Sequence, residues 1–145
     1  MNQRIRRSIF ETNSSSTHSI SIASGSGVND SLHIDDDGVC RIHGGKFGWE
    51  FYKFYDAASK VSYAMVWALD YGKEEHREML KKVIKEETGA KEVEFVEDSS
   101  DTYNSHGYID HQSDGVAADA FESGEILRAF IFNRNSVLET GNDNC

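Results

Sequence analysis

The period of apolar and polar positions changes several times along the chain, and each change marks an element. "SISI", Ser19 to Ile22, alternates with the period of a half-buried strand. "SLHI" at Ser31–Ile34 and "VCRIH" at Val39–His43 flank "DDDG" and predict a β-hairpin turning at Asp37-Gly38. "EVEFVE", Glu92 to Glu97, alternates again and predicts a further strand. Between these the period lengthens. From Asp56, the residues Val61, Ala64, Met65, Ala68 and Leu69 fall on one face of a helix that Gly72 would stop. In "KEEHREMLKKVIKEETG" a second helix would bury Met79, Leu80, Val83 and Ile84, with acidic residues leading, lysines following and Gly89 as its end.

A polar loop from Asp98 to Gly115 comes next. The tail then reads as a short helix around Glu125–Phe130, a strand through Val137 and Leu138, and an exposed "TGNDNC". No internal repeat or linker interrupts this order. Residues 1–145 are therefore read as a single α+β domain, a small antiparallel β-sheet packed against a helical hairpin.

Composition narrows the function classes. A chain of 145 residues with 38% hydrophobic content can bury one core, covering about 68–70% of the surface that its unfolded form exposes. A net charge of −10 and a pI near 4.9 argue against general nucleic-acid binding, which rests on lysines and arginines neutralising phosphates. Arg4, Arg6 and Arg7 are a local exception at the start of the chain. Cys40 and Cys145 form no metal-spaced pair and no disulfide framework. No run reaches the ~18 apolar residues of a membrane span, and no apolar signal segment opens the chain, so the expected location is cytoplasmic.

Three stretches carry more polar chemistry than a fold requires. In "ETNSSSTH", Thr12, Asn13, Ser14, Ser15, Ser16 and Thr17 offer donors and acceptors, and His18 closes the run where the first strand begins. With Arg6 and Arg7 nearby, the picture is a phosphate cradle, although the glycine spacing of a P-loop is absent. A solvated loop before a strand explains the same run. In "HGYIDHQS", Asp110 and His111 can form an acid–base pair or ligate a metal, but on a strand they would point to opposite faces. In "GGKFGWEF", three glycines let the chain bend beside Phe47 and Trp49, which could stack on a base, with Glu50 adjacent. Core packing is the alternative for those aromatics.

"FETNSSSTHS", "GGKFGWE", "IDHQS" and "TGNDN" together resemble a family of small proteins encoded by tailed bacteriophages and bacterial mobile elements. The resemblance implies a phage or prophage context, hence the cytoplasm of a bacterial host, and carries no catalytic assignment. Two expectations follow. In the first, the Thr12–His18 loop binds a phosphorylated, nucleotide-like small molecule. Arg6 or Arg7 would pair its charge, Trp49 would stack on its base, and His18, Glu50, Asp110 or His111 would serve hydrolysis or transfer with the help of a divalent metal. In the second, the chain is an acidic interaction protein that inhibits a host or anti-phage defence protein, with Asp35–Asp37 and Glu92–Asp101 supplying the charge.

Overall fold

The middle of the chain places its small and apolar residues on every side of one helix, and that helix becomes the centre of the fold. α1 (Ala57–Asp70) starts at Asp56, whose carboxylate accepts from the Ser59 N–H. The expected stripe is buried, with Leu69 half-buried, and Tyr63, Val66 and Trp67 are buried with it. Around "YAMVWA" no turn of the helix is polar on its far side, so α1 is enclosed by the two later helices and by strands. The computed structural model describes residues 16–23, 27–97 and 106–142.

α2 (Glu74–Thr88) follows across the Tyr71–Lys73 loop and presents Leu80, Val83 and Ile84 to the core, Met79 packing half-buried beside them. Gly89 ends it in a left-handed conformation at φ 77°, its N–H bonded to the Lys85 carbonyl. α3 (Gly124–Phe132), capped by Ser123, runs longer than the sequence pattern suggests and buries Leu127, Phe130, Ile131 and Phe132. No helix among the described residues is long and apolar enough to cross a membrane.

Among the described residues, the strands form three small sheets. β1 (Ser19–Ser21), β7 (Val137–Thr140) and β4 (Tyr52–Phe54) make an antiparallel sheet in the order β1-β7-β4, with Ile20, Leu138 and Phe54 aligned in one apolar row. β2 (Val39–His43) pairs in parallel with β5 (Glu92–Val96), and β3 (Gly45–Phe47) with β6 (Gly107–Ile109). The result is an α+β fold, with the two parallel pairs added to the expected antiparallel sheet.

The expected hairpin is corrected. Its turn exists, with Gly38 at φ 84° and its N–H on the Asp35 carbonyl, but residues 31–34 form no strand. β2 takes β5 instead because the register matches Cys40 with Val93 and Ile42 with Phe95 on the buried face, and Arg41 with Glu94 on the other. Leu32 and Ile34 spend their apolar surface on packing against the core. The tail differs as well: Thr140 and Gly141 are buried, and residues 143–145 lie outside the described residues.

Candidate functional site

The antiparallel sheet and the β3–β6 pair end side by side, and their ends bring distant polar residues together. Ser16 bridges to Asn142, and the Thr17 N–H donates to the Gly141 carbonyl, so the approach to β1 lies along the end of β7. On the other side, the Asp110 N–H extends the β3–β6 pairing to the Phe47 carbonyl. The Asp110 carboxylate caps a short 3-10 turn, His111–Ser113, by accepting from the Gln112 N–H at 3.0 Å.

Ser16 is held by this turn. Its N–H donates to Gln112 Oε1 at 3.1 Å, and its hydroxyl lies 3.2 Å from Asp110 Oδ1 and 2.8 Å from the Ser113 hydroxyl. The other carboxylate oxygen, Asp110 Oδ2, accepts from the Trp49 indole N–H at 3.2 Å. Asn142 Nδ2 donates to the Trp49 carbonyl, and the Thr140 hydroxyl to that of Glu50. Residues from "NSSSTH", "GWE", "IDHQS" and "TGN" thus form one hydrogen-bonded network.

His18 lies beneath it, buried. Its Nε2 faces the Gly48 carbonyl and its Nδ1 the Tyr63 hydroxyl, each at 2.8 Å. A carbonyl can only accept, so Nε2 carries the proton and Nδ1 accepts from Tyr63. Burial lowers the pKa of His18 against the opposing pull of the Gly48 carbonyl and the Asp110 charge. Burial also pushes the Tyr63 hydroxyl up, keeping it a donor. A Cβ at Gly48 would lie 2.9 Å from the Tyr108 hydroxyl, so a side chain there would require Tyr108 to shift.

The candidate residues divide accordingly. Ser16, Thr17, His18, Trp49 and Asp110 converge. Glu50 joins through its backbone alone, and its residue is exposed. The His111 side chain is 82% exposed, and its Nδ1 stands 3.9 Å from Asp110 Oδ1, so the neighbouring pair does not close into a hydrogen bond. His106 turns to Asp70 at 2.5 Å rather than to Asp110. Arg6, Arg7, Thr12, Asn13, Ser14 and Ser15 lie outside the described residues. Among the described residues, no three His, Cys, Asp or Glu side chains gather where a metal ion could be held.

Tyr63, Gln112, Ser113 and Asn142 are additions. Gln112 and Ser113 belong to "IDHQS" and Asn142 to "TGNDN", whereas Tyr63 is hidden in an apolar helical pattern. Around the network the surface is aromatic. Trp49 is 41% exposed and Phe51 70%, the latter near enough to Gly141 that a Cβ there would lie 2.8 Å from its ring. No family model, curated protein or solved structure matches this chain.

Proposed function

We propose that the chain binds a phosphorylated, nucleotide-like small molecule at the surface around Trp49, and that it acts by binding rather than by turnover. One observation carries the reading: an exposed indole is fixed at its Nε1 by Asp110 and along its backbone by Asn142. A ring already held in place loses little freedom when a base stacks on it. Arg6, Arg7 and Thr12–Ser15 precede Ser16 in the chain and remain the sequence-based choice for the phosphate. Binding is favoured over chemistry because the polar groups of the network are already engaged with one another. Both nitrogens of His18 and both oxygens of Asp110 have protein partners, whereas a general base needs a free site facing the substrate. A tailed-phage or mobile-element origin, with a bacterial cytoplasm as the working compartment, belongs to the same proposal.

The test is thermal unfolding against nucleotides, cyclic dinucleotides and sugar phosphates, with and without Mg²⁺, Mn²⁺ and Zn²⁺, on wild type and Trp49→Ala. A ligand at ~100 times its dissociation constant adds about 2.7 kcal/mol. A stabilisation present in wild type and lost in a folded Trp49→Ala is expected. No response to any ligand would overturn the reading and leave the network as structural support.

A further inference from the structure

Among the described residues, β5 pairs with β2 alone, and a cleft of about 770 Å³ runs beside it. Val93 and Phe95 from one face of the strand line the cleft, Glu92 and Glu94 from the other, and Val39 at the start of β2 borders it as well. Side chains from both faces can border one space where that space follows the strand's unpaired edge. The opposite bank is α2, where Glu74, Arg77, Glu78 and Lys81 recur at helical spacing on one face, and Leu69 adds apolar floor.

The lining carries five glutamates against two cations. Both cations are already committed to the walls. Arg77 donates to the Ala68 and Gly72 carbonyls and pairs with Glu74, while the Lys81 ammonium sits 4.9 Å from the centre of the Phe95 ring. From outside the lining, Lys85 pairs with Glu92, and Arg41 pairs with Glu94 while also serving Asp35 and Asp37. Carboxylates still outnumber cations around the cleft, so the field inside is negative, and the low-dielectric walls of a cleft concentrate it.

We propose that this cleft receives an extended segment of a partner protein bearing alternate Lys or Arg residues, added as a strand to the open edge of β5. Main-chain hydrogen bonds to the edge would hold the segment. Alternate side chains would then face the apolar floor of Leu69 and Phe95, with the basic ones between Glu78 and the glutamates of β5. Edge carboxylates also serve in many sheets to discourage edge-to-edge association, but such guarding needs no cleft and no facing helix. This site is separate from the Trp49 surface and stands or falls independently of it.

The probe is an acetylated, amidated hexapeptide of alternating Arg and Val, titrated into the full chain and followed by amide NMR and hydrogen exchange. Slowed exchange confined to Glu92–Val96 is expected, with affinity at least tenfold weaker for Glu78→Lys, an exposed position on α2. A peptide of the same sequence, N-methylated at alternate amides, keeps its charge but cannot pair as a strand. Its failure to bind supports the proposal, and equal binding would overturn it in favour of charge alone. No binding of the plain peptide, or changes centred on Trp49, would also overturn it.

Discussion

At His18 the protein commits to a neutral imidazole in one tautomer, because Gly48 can only accept and Tyr63 is placed to donate. That commitment has a pH signature. The native pKa lies below the ordinary 6.5, so the native state binds fewer protons than the unfolded chain. The stabilisation is complete above pH 6.5 and is lost as pH falls below 6.5 toward the lowered native value. Urea unfolding at pH 7.5 and pH 5.5 should show wild type losing more stability than His18→Gln. Asp30 also has a lowered pKa, but its ordinary value of 3.8 puts its influence further into acid. Tyr63→Phe should cost about 1–2 kcal/mol at neutral pH, seen as a lower urea midpoint at unchanged slope, because it leaves the buried Nδ1 without a donor. The polar half of this arrangement was legible: a run of hydroxyls ending in His18 stands out from any fold requirement. Tyr63 was not, because a tyrosine among "VSYAMVWA" reads as core, and here it is both core and donor.

Among the elements, the helices were legible and the parallel pairs were not, for a physical reason. A helix is written in residues three and four apart, so α1 and α2 show in the apolar spacing, and Asp56 and Gly89 mark one boundary of each. A parallel pair is written in residues far apart, as with Cys40 and Val93 or Phe47 and Ile109. Local reading therefore gave β2 to its nearest apolar neighbour. The three-residue β3 and β6 are too short to show a period at all. Glycine is the clue they do leave. Gly107 holds φ 98°, and a Cβ there would overlap the backbone of its partner Gly45, so the two strands approach this closely where glycine faces glycine. Gly107→Ala should destabilise by about 3 kcal/mol or more. Gly115 is the contrast, with φ −98° and open space around its Cβ position. Gly115→Ala should be neutral or stabilise by up to about 1 kcal/mol. Equal effects of the two substitutions in chemical unfolding would refute the close-approach account.

Over the whole molecule, a body with ten more acidic than basic residues keeps one lysine fully buried at its centre. Lys60 Nζ on α1 donates to the Asn133 and Ser136 carbonyls at 2.8 and 2.9 Å, fixing the turn that launches β7. Because β7 carries β1 and the chain leading from Ser16, this contact links the core helix to the Trp49 surface. Asp30 secures the same corner by accepting from the Ala57 N–H and pairing with Arg134. Burial lowers Lys60 to about 8, with the charges of Asp56 and Asp30 opposing the shift. A neutral amine still has two N–H groups, enough for both carbonyls, so losing the proton removes a buried charge without breaking either bond. The native state thus holds fewer protons than the unfolded chain between pH 8 and the ordinary 10.5. Lys60 adds stability as pH rises through that window, and the gain is lost as pH falls back through 8. Measured as the difference in urea midpoint from Lys60→Met, wild type should gain steadily from pH 7.5 to pH 10. Tyr63 and Tyr71, whose pKa values burial raises, act in the opposite direction near pH 10, but they do so in both proteins and drop out of the difference. A flat difference would mean that Lys60 stays charged throughout, with the two carbonyls replacing its water.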